Sequence, residues 1–322
     1  MLKKSVLIAE GGDHYKILEQ IYHLLQKKCN LNFYIINTST YDFKEMFPSS
    51  VKTKVEKENF KGLFFFFGVL IRARNYDLIN IVTGPEGNHF TDIFRVIGFY
   101  LYSIFYGKKT ILTIRNIEPF LPNTPGMFSW LRSRAINHIS RFTFETVTMK
   151  KEFCRLNERP EKYYSVSYDR YPDTIGAITG NILVEKDSKY IRIGLLGSIN
   201  EERRNYNIIC DALYKMPKPL LDSIKIITMG ECNGGHFNRT ISKLEKLVKV
   251  DCTNGILSEK DFALRGQSCD VLIAPLSNNA YGTLKGTGSI GDAVYLRQRM
   301  IIPDFADPEK EFDSFCKYYQ NS

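Results

Sequence analysis

The sequence predicts an α/β protein of two units, each built on a parallel sheet, and three stretches carry that prediction. Val6 to Ala9 forms an apolar strand, an amphipathic helix follows over about residues 15 to 28, and Asn32 to Ile36 forms the next strand. Strand, helix and strand in that order open a parallel sheet. Ile191 to Leu196 and Ile224 to Gly230 repeat the pattern around a helix from about Asn205 to Met216. Val271 to Leu276 and Met300 to Pro303 are a further pair of short apolar runs, with about one helix of residues between them.

The remaining elements fit the same plan. Leu78 to Val82, Thr110 to Ile114 and Phe142 to Thr146 read as the third, fourth and fifth strands of the first unit, and Met149 to Leu156 as a short basic helix. Two segments are apolar nearly all round. Gly62 to Ile71 is bracketed by Lys61, Arg72 and Arg74, and Ile93 to Tyr106 ends in Gly107-Lys108-Lys109. The first is too short to span a bilayer, which takes about 20 residues. Both read either as helices that cover a sheet or as helices lying in a membrane interface with cationic flanks. In the second unit a helix near Thr240 to Val248 precedes the short run Val250 to Cys252. Arg159-Pro160, Tyr171-Pro172, Gly176 and Gly180 mark a linker. The expected division is therefore residues 1–160, a connecting segment 161–189, and residues 190–322.

Composition narrows the function. A chain of 322 residues, 43% hydrophobic and 25% charged, is ordinary globular material for two domains. Its seven cysteines form no CxxC pair, which fits reduced thiols in a cytoplasmic protein better than a disulfide frame or a zinc site. No secretory leader precedes Val6, and the expected location is the cytoplasm. The net charge of +9 calls for an acidic partner, for which nucleotide diphosphates and anionic lipid headgroups qualify. Zinc-finger spacing, an RNP signature and a long basic run are all lacking, so nucleic acid is not the expected partner.

Polar residues gather where strands end, the edge at which open α/β sheets bind ligands. After the first strand come Gly11, Gly12 and His14, after the third Glu86, and after the fourth Arg115, Asn116 and Glu118. Each is a candidate to face a substrate or a member of a turn. Lys285, Gly286, Thr287 and Gly288 precede a helix expected to begin near Ser289, with Asp292 on its first turn. Exposed amides at such a helix start favour phosphate. Asp292 there suits either ribose hydroxyls or the positive helix end.

With both halves in view, the chain resembles the two-Rossmann-domain (GT-B) glycosyltransferases, most nearly those of family 4 that build bacterial surface polysaccharides such as capsule, O-antigen or exopolysaccharide. The likeness is stronger over about residues 190 to 303 than over 1 to 156. In that family a strand ends in glycine-arginine, and a lysine a few residues on binds the donor diphosphate. Here Gly197-Ser198 and Glu202-Arg203 occupy those places, and Arg204 supplies a further cation for the arginine that Ser198 replaces. The family's later pair of glutamates falls on Leu284 and Asp292, and the loop Lys285 to Ser289 resembles a variant that holds the donor through amides and hydroxyls. Arg115-Asn116 stands in place of the family's histidine, which leaves Arg115 and Glu118 as catalytic candidates.

The resemblance implies two Rossmann-like domains facing each other across a cleft, with the C-terminal part short, since only Asp304 to Ser322 follow Pro303. It implies a nucleoside-diphosphate sugar as donor, bound by Gly197, Ser198, Arg203, Arg204, Lys285 to Ser289 and Asp292. A lipid-linked saccharide at the inner membrane face would be the acceptor, approached by Gly11, Gly12, His14, Glu86 and Asn116. No cofactor and no metal is expected, because fixed cations and a helix amino end can take the place of Mg²⁺. Two other readings remain open: a non-catalytic nucleotide-sugar-binding subunit of a polysaccharide-synthesis complex, and a sugar-nucleotide epimerase on the same two-domain plan.

Overall fold

Apolar strands joined by helices pair in parallel throughout both halves of the chain. The computed structural model describes residues 3–11, 15–37, 47, 51–57, 64–87, 92–122, 125–158, 164–166, 189–230, 235–253, 255, 257–279 and 281–320. The chain divides into two compact units, Met1–Asp169 and Arg170–Ser322.

The first unit holds a seven-stranded sheet among the described residues. In chain order its strands are β1 (Lys4–Glu10), β2 (Cys29–Asn37), β3 (Lys52–Lys57), β4 (Leu78–Ile81), β5 (Thr110–Ile114), β6 (Arg141–Phe144) and β7 (Tyr164–Val166). Across the sheet they run β3-β2-β1-β4-β5-β6-β7, every pairing parallel. β1 is central, and Val6 to Glu10 are all buried, as expected of a strand covered on both faces. Its order reverses between β1 and β4, the switch point of a doubly wound sheet.

Helices α1 (Tyr15–Leu25), α2 (Phe65–Ala73), α3 (Ile93–Tyr106), α4 (Met127–Ile136) and α5 (Val147–Leu156) lie among the described residues of this unit. Right-handed crossovers put α2, α3 and α4 on one face of the sheet, where α3 packs between the other two. The inward stripes of α2 and α3 are core. Phe65, Phe66, Val69, Val96, Phe99 and Tyr102 are all nearly or fully buried, with the Phe66 and Phe99 rings edge to face at 5.0 Å. No helix among the described residues is long and apolar enough to cross a membrane. Two of the cations expected to flank a membrane segment have work inside the fold. Lys109 Nζ donates to the carbonyls of Ala73 and Tyr76 at 2.7 and 2.5 Å, closing the end of α2. Arg72 donates to Gly68 O at 2.8 Å and lies over the Tyr34 ring.

The second unit repeats the order with one strand fewer among the described residues. β8 (Ile191–Leu195), β9 (Ile224–Thr228), β10 (Lys249–Asp251), β11 (Val271–Ile273), β12 (Met300–Pro303) and β13 (Cys316–Tyr319) run β10-β9-β8-β11-β12-β13, again all parallel. Helices α6 (Asn207–Tyr214), α7 (Lys218–Leu221), α8 (Gly235–Glu245), α9 (Glu259–Gln267) and α10 (Gly288–Leu296) connect them. Ser258 and Thr287 cap α9 and α10 by accepting from Asp261 N and Ser289 N. The α8 helix starts earlier than the sequence pattern suggests.

Three strands differ from expectation, all at or near sheet edges. β3 is an outermost strand that alternates charge with small and apolar residues, so it carries no apolar run. Its presence makes Arg141–Phe144 the sixth strand rather than the fifth. β7 falls inside the expected linker, whose residues 167–188 lie outside those described. β13 lies in the residues after Pro303, paired in register from Met300 with Cys316 to Pro303 with Tyr319. Buried Asp307 orders the approach to it, accepting from Glu311 N, Phe312 N and the Tyr318 hydroxyl.

Replacing Phe65 and Phe66 together with serine is expected to unfold the first unit. Each truncation of a buried ring costs about 3–5 kcal/mol, a sum comparable to the roughly 5–15 kcal/mol that holds a domain. Circular dichroism of the double variant checks this; a folded double variant would place these rings outside the core.

Candidate functional site

The second sheet reverses its order between β8 and β11, and the loops leaving those two strands are tied together there. Leu196 N donates to Ile273 O at 2.9 Å, Asn205 N to Pro275 O at 2.7 Å and Ser277 N to Arg203 O at 3.1 Å. Asn200 shapes the turn between, its Oδ1 accepting from Glu202 N and Arg203 N at 2.9 and 3.1 Å. The result is a fixed frame for Gly197, Ser198, Arg203 and Arg204.

Gly197 has φ of +80°, a conformation that favours glycine, and a Cβ there would overlap the Arg204 guanidinium. Arg204 is only 5% exposed. Its Nη1 donates to Ser198 O at 3.1 Å, while its Nε is buried with no hydrogen-bond partner among the described residues. A cavity of about 300 Å³ opens against this side chain, lined also by Asn205, Asn207, Lys243 and Ser277. Buried Arg204, exposed Lys243 and several polar groups around a partly open space suit an oxyanion, and phosphate is the common one with that geometry. Glu201 also borders the cavity, but its carboxylate is engaged by Thr240 Oγ1 at 2.6 Å and approached by Arg239 at 3.9 Å.

Arg203 points elsewhere. It is exposed, donates to the hydroxyl of buried Tyr281 and lies 5.3 Å from the centre of that ring. Tyr281 therefore fixes Arg203, and no local sequence signal marks it.

The loop before α10 departs from expectation in two ways. Thr287 is the cap, so the helix begins at Gly288 and Asp292 stands on the second turn, half-buried, rather than on the first. The Thr287 hydroxyl also accepts from Ser289 N at 3.2 Å, which engages one of the amides expected to be open. Ser289 is buried, Lys285 and Gly288 are exposed, and a Cβ at Gly288 would meet nothing within 4 Å. The fold itself does not require glycine at 288.

In the first unit, polar groups stand at the carboxyl ends of β1, β4, β5 and β6. Glu10 is fully buried and accepts from the Thr83 hydroxyl through both oxygens, at 3.0 and 2.9 Å. Gly11 O accepts from Arg95 Nη2 at 2.9 Å. Gly12 and His14 lie outside the described residues. Glu86 and Asp92 lie near fully buried Arg132, which donates to Gly87 O; burial lowers the Arg132 pKa and the two carboxylates oppose that shift. Arg115 is held by buried Glu145, Nε to Oε1 at 2.5 Å, so its guanidinium is partly committed. Asn116 Oδ1 accepts from Glu118 N at 3.1 Å in a local turn, and Glu118 itself is exposed. Glu10, Glu145 and Arg132 escaped the sequence reading, because their importance comes from neighbours far along the chain.

A second cavity, about 500 Å³, is lined by Lys3, Cys29, Asn30 and Lys52 among others. It sits at the amino ends of β1, β2 and β3, the opposite edge from the one where doubly wound sheets take ligands. Among the described residues no group of three or more His, Cys, Asp or Glu side chains is placed to hold a metal ion.

No protein-family model matches the chain, and no curated protein matches it in sequence. Solved structures do match its fold. The Anabaena protein HepE, in complex with UDP, is 14% identical with a TM-score of 0.61, covering 100% of this chain and 86% of its own. A glycosyltransferase from Rickettsia africae is 12% identical with a TM-score of 0.65, covering 100% and 85%. UDP-GlcNAc 2-epimerase from Neisseria meningitidis, bound to UDP-GlcNAc, is 10% identical with a TM-score of 0.57, covering 98% and 87%. At these identities the likeness speaks for architecture, and the chain has the two-Rossmann-domain fold called GT-B.

Proposed function

We propose that this protein transfers a sugar from a nucleoside-diphosphate sugar to a lipid-linked saccharide in surface-polysaccharide synthesis. The observation that carries this reading is Arg204, a buried guanidinium at the switch point of the second sheet whose Nε has no hydrogen-bond partner among the described residues and which has a cavity in front of it. A buried charge with so few partners is costly, and a diphosphate that entered the cavity would relieve that cost. The same contact strengthens as the sugar departs, since negative charge then builds on the leaving diphosphate. In this reading Lys243 and Ser277 complete the anion pocket, Arg203 on Tyr281 meets the outer phosphate, and Asp292 serves the ribose. The donor chemistry rests on fixed cations and needs no metal. The UDP bound to HepE and the UDP-GlcNAc bound to the Neisseria epimerase favour a uridine donor.

The second reading is an epimerase, favoured by the likeness to the Neisseria enzyme over 98% of this chain. Donor conversion without any acceptor would establish it in place of transfer. Binding with no turnover on any acceptor would point instead to a non-catalytic subunit.

Thermal melting with UDP, GDP and their sugars is expected to give a rise with at least one nucleotide, unchanged by EDTA. No rise with any of them would end the proposal. Arg204→Met is expected to weaken that nucleotide by roughly 10- to 150-fold, the value of a charge-assisted hydrogen bond of about 1.5–3 kcal/mol. The nucleotide-free variant should melt no lower than the parent, because a costly buried charge has gone; a large fall in both quantities would make Arg204 structural. Gly288→Ala should fold normally, as the space for its Cβ is open, yet lose donor affinity if a ligand approaches that backbone. Asp292→Ala should lose the preference for ribose over deoxyribose nucleotides, measured as a ratio of dissociation constants; a parental ratio would remove Asp292 from the site.

A further inference from the structure

We propose that the outer face of α2, α3 and α4 docks on an anionic lipid bilayer. This inference does not depend on the reaction proposed above. Of the eleven large hydrophobic side chains exposed among the described residues, seven fall between Phe64 and Trp130. Phe64 and Ile71 flank the outer stripe of α2, the latter 68% exposed. Phe94, Ile104 and Phe105 share one stripe of α3, Phe105 being 69% exposed, and Met127 and Trp130 stand on the outer side of α4. The three helices pack side by side with α3 in the middle, and the Phe64 and Phe94 rings meet at 5.2 Å, which joins two of the stripes. A sheet-covering helix needs apolar residues on its inner stripe, and these residues are on the other one.

Charge identifies the occupant. Residues 64–76, 93–109 and 125–144 contain no Asp or Glu. Arg74, Lys108 and Arg134 are exposed beside the apolar stripes, and Arg134 stacks over the Trp130 ring. Aromatic and aliphatic side chains bordered by cations, on three helices that carry no acidic residue of their own, match the chemistry of an interface that offers acyl chains below anionic headgroups. A second copy of the chain fits poorly, because a two-fold contact would set this cationic face against itself.

Trp130 is the only tryptophan in the chain, so its emission reports on the patch alone. The full chain is mixed with vesicles of phosphatidylcholine, with or without phosphatidylglycerol, at low and high salt. Flotation with the anionic vesicles at low salt is expected, with a blue shift of Trp130 emission and quenching by brominated acyl chains. Ile104→Ser with Phe105→Ser should melt as the parent does, both residues being exposed, and should lose flotation. Arg74→Gln with Lys108→Gln should lower partitioning about 30-fold, at about fivefold for each cation near the surface. Unshifted Trp130 emission, equal flotation on neutral and anionic vesicles, or a dimer in sedimentation that the serine variant dissolves would each overturn the proposal.

Discussion

A parallel strand can reach its neighbour only by crossing over a face of the sheet, and neighbouring strands in both sheets here are parallel. That constraint covers both faces with helices and buries the central strands on both sides. It also fixes where chemistry can sit. A chain that winds outward from a central strand in one direction, then returns to wind in the other, leaves a crevice where the two directions part. Glu10 and Thr83 lie at that point in the first sheet, and Gly197, Arg204 and Ser277 lie at it in the second.

Each unit buries a guanidinium near its crevice, and the contrast between them is informative. Arg132 donates to Gly87 O and has the carboxylates of Glu86 and Asp92 nearby, so its charge is balanced by the fold. Arg204 has a carbonyl and the backbone of a left-handed glycine against it, with a cavity in front. Balanced charge holds a loop together. In the proposed reading the charge beside the cavity receives an anion, and Arg204 takes the place of the arginine that Ser198 replaces in the resembling family, delivered from six residues further along by a loop tied to the one that follows β11.

Helices α2 and α3 meet two demands at once. Their inner stripes, through Phe65, Phe66 and Phe99, seal one face of the sheet. Their outer stripes are equally apolar although nothing in the sheet asks for it. The core reading of these segments holds for the inner sides of the helices, and the proposed interface would occupy their outer sides. The cations divide likewise: Arg72 and Lys109 turn inward to carbonyls, and Arg74 and Lys108 stay outside.

The sequence by itself determined whatever depends on neighbours in the chain. Apolar runs at Val6, Ile79, Ile111, Ile193, Ile226 and Leu272 marked the inner strands, the helical periods between them marked the crossovers, and Gly286-Thr287-Gly288 marked a helix start. Three of the four edge strands, β3, β7 and β13, escaped, because a strand with one neighbour can be charged, as β3 is, or three residues long, as β7 is. Only the tertiary structure decided which polar residues meet. Tyr281 reaches Arg203 across 78 positions, Glu145 reaches Arg115 across 30, and Glu10 reaches Thr83 across 73. Such pairings are set by strand order, which brings distant loops to one edge of a sheet, and no local period in a sequence encodes that order.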